Sequence, residues 1–255
     1  MIAADDNKII QGLWIGPALS QMEQLSIASF LANGHDYHLF VYDDVKNIPV
    51  GTTLKDANEI LPAAAIFQYA GRPSYAGFAN FFRYKLLLER GGWWADTDTV
   101  CLRPFDFGEQ YVFSSELSKG FQVVNCGVVK VPAGSLVMSF AWQACQAKDP
   151  AMLVWGETGP RLMGEAVNRS ALKSYTQPYY IFCPFPHYDW RRILEPPAEI
   201  RAESYAIHLW NEKWREARQN KDAVYAPDCI YEQLKRRYLR NGSTGKNEMG
   251  KRGTG

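Results

Sequence analysis

The stretch from Tyr75 to Val100 constrains the fold of this chain more than any other. A helix-length segment rich in Phe, Leu, Lys and Arg meets a Gly91-Gly92 stop, and Trp93-Trp94-Ala95 then lead into two aspartates, Asp96 and Asp98. Paired glycines end a helix because they accept the left-handed backbone that side chains resist. An apolar strand that follows at once must be buried, and a carboxylate at its end loses hydration. In an extended segment residues i and i+2 project to the same side. The two aspartates are therefore placed to share one hard divalent cation, Mn2+ or Mg2+, which prefer oxygen ligands and bridge carboxylates to phosphates. Taken alone the spacing is weak, and two solvated aspartates on a surface turn satisfy it as well.

The flanking sequence predicts α/β architecture. Ile9 to Ile15 reads as a strand ended by Gly16-Pro17, and Ser20 caps a helix from Gln21 to Ala32 with Asn33-Gly34 as its stop. Tyr37 to Tyr42 is the next strand. This βαβ start implies a mostly parallel central sheet flanked by helices, with ligands at the strands' carboxyl ends. Residues 45–74 read as irregular, with a short helix at Leu54 to Leu61. Strands are expected at Thr99 to Leu102, Tyr111 to Ser114, Gln122 to Val131, Tyr179 to Phe182 and Ser204 to Leu209. Helices are expected at Tyr75 to Arg90, Ser135 to Ala147, Thr158 to Val167 and Asp228 to Leu239. No repeat or linker interrupts residues 1–240, which read as one domain, and the Gly/Ser/Lys-rich tail 241–255 as disordered.

Composition narrows the function classes. A net charge of +1 gives no reason to expect a nucleic acid partner. The 8 Trp and 14 Tyr suit either a large core or flat surfaces for stacking sugars and bases. Cys101, Cys126, Cys145, Cys183 and Cys229 are scattered without a CxxC pair, which predicts neither a zinc site nor a disulfide framework and fits a cytoplasmic setting. Met1 to Lys8 shows no signal-peptide pattern, and no run reaches transmembrane length. Membrane association would be peripheral, at the inner face of the cell membrane, through the basic run Lys235-Arg236-Arg237-Tyr238-Leu239-Arg240. The same run also reads as a solvated helix end favoured by the helix dipole.

Asp96-Thr97-Asp98-Thr99-Val100 fits a second chemistry. An apolar strand followed by D-x-D-x-T/V resembles the nucleophile segment of haloacid-dehalogenase-like phosphatases, where the first aspartate attacks phosphorus. That chemistry requires a later acidic pair for Mg2+, and downstream stand only the isolated Asp149, Asp189, Asp222 and Asp228.

The residues before the motif separate the readings. Asn80-Phe81-Phe82-Arg83-Tyr84-Lys85-Leu86-Leu87-Leu88-Glu89-Arg90-Gly91-Gly92-Trp93-Trp94-Ala95-Asp96-Thr97-Asp98 resembles the DXD core of family 32-type glycosyltransferases. It is also similar to the catalytic domains of clostridial glucosylating toxins and to capsular polysaccharide sugar transferases. Leu13-Trp14-Ile15-Gly16, Thr158-Gly159-Pro160 and Ala206-Ile207-His208-Leu209-Trp210-Asn211 echo further segments of that family.

The resemblance implies a GT-A type nucleotide-sugar-binding fold. It also implies a metal-dependent, retaining transfer of a sugar from a UDP- or GDP-sugar to a hydroxyl of a saccharide or lipid-linked glycan. On that basis Asp98 and His208 bind the metal, Mn2+ or Mg2+, with Asp96 on the metal's water, the ribose or the sugar. Arg83 forks onto a sugar hydroxyl or phosphate, and Trp14 stacks on the base. Asn80 stands where the family usually has Asp, and Trp94 where it commonly has Tyr. Trp210 and Asn125 line the donor pocket, with Asn211, Trp214 and Gly127 beside them and Asp43 near the base or ribose. Glu157 falls in the acceptor region without serving as a nucleophile. A non-catalytic nucleotide-sugar-binding protein is the third reading, for which only Asn80 leaves room.

Overall fold

The computed structural model describes residues 7–239. The expected disordered tail 241–255, together with Arg240 and residues 1–6, lies outside them.

A six-stranded sheet in the order β3-β2-β1-β4-β7-β6 forms the centre. Its strands are β1 (Ile9–Leu13), β2 (Asp36–Val41), β3 (Thr53–Asp56), β4 (Gly92–Ala95), β6 (Val112–Ser118) and β7 (Phe121–Val131). β1 pairs in parallel with both β2 and β4, and β2 with β3; β7 runs antiparallel between β4 and β6. The mostly parallel α/β sheet anticipated from the βαβ start is present. A two-stranded antiparallel ladder stands apart, joining β5 (Thr99–Cys101) to β8 (Ala206–His208).

Helices cover both faces. The face carrying Trp93 packs on α1 (Gln21–Ala32), α6 (Asn211–Glu216) and α7 (Ile230–Tyr238). The face carrying Trp94 packs on α2 (Ala76–Arg90), α3 (Leu136–Gln146) and α4 (Pro160–Arg169). Successive strand residues point to opposite faces, so the two tryptophans of β4 anchor one core each, both fully buried. Burying two such rings at the sheet's centre fixes β4 in depth and register, and so fixes where the chain leaves it as Asp96. The helix stop works as read. Gly91 and Gly92 have φ of 64° and 82°, and a Cβ on Gly91 would lie 2.4 Å from the Ala133 nitrogen.

Two expectations are corrected. Thr53–Asp56 is an edge strand in register with β2, followed by a short 3-10 turn at Ala57–Glu59, where a helix over Leu54 to Leu61 was expected. Tyr179–Phe182 forms one helical turn, α5, instead of a strand. Its aromatic and β-branched residues favour strands, but Pro178 and Pro184 bracket it and leave no length for a ladder. In α7, Lys235 is buried, pairs with Glu232 and donates to the Ala223 carbonyl, so it is withdrawn from the basic run. No helix among the described residues is long and apolar enough to cross a membrane.

Candidate functional site

A cleft of about 500 Å³ opens at the carboxyl ends of β1 and β4, where parallel sheets place ligands. Trp14, Asn80, Arg83, Asp96, Asp98, Asn125, His208 and Trp210 all line it. Residues far apart in sequence therefore meet in one cavity.

Asp96, Thr97 and Asp98 form a turn, not the extended segment assumed for them; the Thr99 N–H closes it on the Asp96 carbonyl at 2.9 Å. The aspartates still converge, because the β5–β8 ladder pairs Thr99 with His208 and sets the imidazole beside Asp98. Ligand atoms of Asp96, Asp98 and His208 lie within 4.8 Å of one another. His208 Nε2 is 3.1 Å from Asp98 Oδ1, and the Asn211 N–H donates to Asp98 Oδ2 at 2.7 Å. Burial opposes ionisation of Asp98, yet His208 and the Asn211 N–H hold its carboxyl below the usual carboxylate range. Burial likewise disfavours a charged His208, yet Asp98 and a contact with the Cys183 thiol raise the imidazole well above its ordinary value. Two carboxylates and one imidazole, gathered at this spacing, are a donor set that fits Mn2+ and, less selectively, Mg2+.

Asp96 is oriented from below. Its Oδ1 accepts from Arg83 Nη2 at 2.5 Å and from the Trp94 indole N–H at 2.8 Å, which leaves Oδ2 for a ligand. Arg83 is buried on α2, and its other arm donates to Asn80 Oδ1 at 2.8 Å. Burial works against its charge, but Asp96 more than restores it, so the guanidinium stays protonated. Asn80 and Arg83 lie three residues apart on one helix face and act as a unit. Trp94, in the place of the expected Tyr, serves through its N–H.

Trp14 follows β1 half-buried at the cleft wall. Its indole N–H is buried without a hydrogen-bond partner among the described residues, and Lys221 Nζ stands 5.7 Å from the ring centroid. Trp210 takes a left-handed backbone (φ 62°) that costs about 1–3 kcal/mol for a bulky residue. This sets its ring 4.1 Å from that of His208, while its N–H donates to the Phe185 carbonyl at 2.8 Å. Asn125 is buried in β7 and already engaged. Its Oδ1 accepts the Gly127 N–H at 2.6 Å, and its amide donates to Glu116 at 3.2 Å.

Three further expectations place residues elsewhere. Asp43 is exposed and outside the cleft lining. Trp214 is fully buried in the core, donating to the Leu209 carbonyl. Glu157 is paired with Lys148 outside the lining, although Trp155, Gly156 and Gly159 do face the cleft. Glu116 and His187, 3.1 Å apart, line it without any signal in the sequence, separated by 71 positions. At the rim Arg72 pairs with Glu212 and Glu216 of α6 and lies 3.8 Å over the Trp155 ring, joining three segments across the mouth.

Within the metal-ligand cluster the third member is an imidazole, not the carboxylate pair that a phosphoaspartate mechanism needs. Comparison with family models points the same way. Residues 20–114 match the family described as a glycosyltransferase sugar-binding region containing DXD motif, and residues 152–238 match an alpha 1,4-glycosyltransferase conserved region. Among solved structures, the PaToxG glycosyltransferase is similar at 14% identity and a TM-score of 0.46, over 64% of this chain and 69% of that one. A structure described only as a transferase is similar at 11% identity and a TM-score of 0.43, over 71% and 89%. No curated protein matches.

Proposed function

We propose that this chain, a glycosyltransferase by the two regions it carries, moves a sugar from a nucleoside diphosphate sugar to a hydroxyl of a saccharide or lipid-linked glycan. The transfer depends on a divalent cation, Mn2+ or Mg2+, and retains the anomeric configuration. The observation that carries this reading is the convergence of Asp96, Asp98 and His208 beside the Arg83–Asn80 pair on one cleft wall.

Asp98 and His208 would hold the cation, with Asp96 as a further oxygen ligand. When bound, the cation neutralises the diphosphate and stabilises the charge that builds as it departs. The protein's own groups do the positioning. Arg83 and the Trp94 N–H lock the Asp96 carboxylate in one orientation, so it needs no reorganisation during the reaction. The Asn211 N–H does the same for Asp98. Asn80 offers an amide N–H to a donor-sugar hydroxyl where an aspartate would offer only acceptors, so donor choice is tied to this residue. Trp14 presents its half-buried face to the nucleobase. Glu116 is a buried carboxylate of the cleft, but both of its oxygens are hydrogen-bonded. The reading adopted is a front-face transfer, in which the departing phosphate oxygen takes the acceptor's proton.

Binding and hydrolysis of a panel of UDP- and GDP-sugars, with and without Mn2+, test the reading. At least one donor is expected to bind only when the metal is present. No metal-dependent binding across the panel would show the reading to be wrong.

A further inference from the structure

Glu116 stands out among the ionisable groups of the cleft. It lies on β6 directly after a register irregularity between Phe113 and Ser115, a distortion that re-aims neighbouring side chains. It is only 7% exposed, and its ion-pair partner is neither lysine nor arginine. Oε1 accepts from the Asn125 amide at 3.2 Å and Oε2 faces His187 Nδ1 at 3.1 Å. His187 is brought in by the 3-10 segment His187–Ile193 and packs edge-on against Trp210, with ring centroids 5.9 Å apart. Both residues line the same cleft as the metal-ligand cluster. The proposed transfer so far uses neither.

His187 turns Nδ1 to Glu116 and leaves Nε2 for a ligand. Each oxygen of an ionised Glu116 retains a further lone pair beyond its present partner. The pair therefore offers the cleft an accepting carboxylate and one imidazole edge. Such a surface suits hydroxyl groups, which donate, and disfavours a diphosphate, which brings negative charge against a carboxylate. A buried carboxylate left without further partners is costly, so an incoming hydroxyl also completes its hydrogen bonding. The Asn80–Arg83 unit belongs to α2, whereas Glu116 and His187 come from β6 and the 187–193 segment.

We propose that Glu116 and His187 bind neighbouring hydroxyls of the saccharide acceptor and thereby select it. The assignment rests on the glycosyltransferase reading above and adds the residues that recognise the second substrate. His187 is a recognition residue here. No proton needs to pass to it.

The test uses the full chain with Mn2+ and the donor that binds best in the UDP- and GDP-sugar panel. Acceptors are p-nitrophenyl monosaccharides and an array of immobilised glycans, together with singly deoxygenated analogues of whichever is glycosylated. His187→Ala is expected to leave the donor Kd within about twofold of wild type and to raise the acceptor KM roughly 10- to 100-fold, as loss of one or two hydrogen bonds to a charge-linked pair implies. Removing the hydroxyl that His187 binds lowers wild-type transfer by a similar factor but adds little to the loss in His187→Ala. His187→Gln, which can still accept, restores part of the affinity. Glu116→Gln, which adds a donor to the pair, shifts preference among the deoxygenated acceptors. Loss of donor affinity in step with transfer assigns the pair to the donor and overturns the proposal, as do unchanged acceptor kinetics in His187→Ala. A wild-type protein that binds no donor overturns the underlying reading, and this proposal with it.

Discussion

Gly127→Ala is a sharp probe of the site, because a single methyl group would enter the space between three of its side chains. A Cβ at this position of β7 would lie 2.9 Å from Asn125 Oδ1, 3.1 Å from His208 Cε1 and 3.2 Å from Asp96 Oδ2. All three distances are inside ordinary van der Waals contact. Asn125 cannot swing aside cheaply, since it accepts the Gly127 N–H itself and donates to Glu116. Gly127 is not among the residues with positive φ, so alanine brings no backbone strain. The cost is overpacking, about 1–3 kcal/mol. Because the displaced atoms belong to His208 and Asp96, that cost falls on the ligand arrangement and weakens Mn2+ binding roughly 5- to 150-fold. If some of it is taken up by the fold, Tm drops by about 2–4 °C per kcal/mol. Gly164→Ala is the control. Its Cβ would meet only Val124 at 3.9 Å, within α4, and helix propensity makes it stabilising by up to about 1 kcal/mol with no change in metal affinity. Calorimetric Mn2+ titration of both variants, alongside thermal melts, decides the matter. Wild-type Mn2+ affinity in Gly127→Ala would refute the geometry of the cluster.

Two further outcomes follow from the same site. Asp98→Asn keeps an oxygen for the Asn211 N–H but removes the charge facing His208. Transfer is expected to fall by roughly a thousandfold, with Tm changed by only a few degrees because His208 can shed its proton once its partner is neutral; wild-type turnover in this variant would refute the metal assignment. Mn2+ binding should also be linked to protons, since the His208 pKa is raised in the metal-free protein. Below that raised value His208 carries a proton that the metal must displace, so affinity falls by about tenfold per pH unit as pH drops and levels off above it. The lowered Asp98 value adds a second loss only at more acidic pH. Titrations in buffers of different ionisation enthalpy count the released proton, and an affinity that does not change with pH would contradict the imidazole as ligand.

The elements that the sequence made legible are those whose local signals agree. In α2 the apolar period, the Gly91-Gly92 stop and the buried tryptophans all point one way, and the helix is found within one residue of its expected start. Ser20 does cap α1, completing a capping box with Glu23. Where signals conflict, context decides. Thr53–Asp56 is short and mostly exposed, so it has no alternation of burial to reveal it, and it becomes a strand only because β2 offers an unpaired edge. Tyr179–Phe182 carries strand-forming residues in a place where no partner strand runs. Propensity could have found neither, because what decides both is the supply of backbone partners from elsewhere in the chain.

The candidate site divides along the same line. Asp96 and Asp98 are readable as a pair, but their meaning depends on a third group 110 positions from Asp98, which β5 and β8 bring in by pairing Thr99 with His208. Had a carboxylate stood there, the same turn would have suited phosphoryl chemistry. The imidazole is what makes the cluster a mixed nitrogen and oxygen donor set that fits a divalent cation. Glu116 and His187 had no motif to announce them, since a carboxylate and an imidazole acquire joint meaning only at hydrogen-bonding distance. A buried carboxylate that meets an amide and an imidazole still has acceptor capacity to fill. A polyhydroxylated substrate is the chemistry that fills it, and that is why Glu116 and His187 are proposed to meet the second sugar.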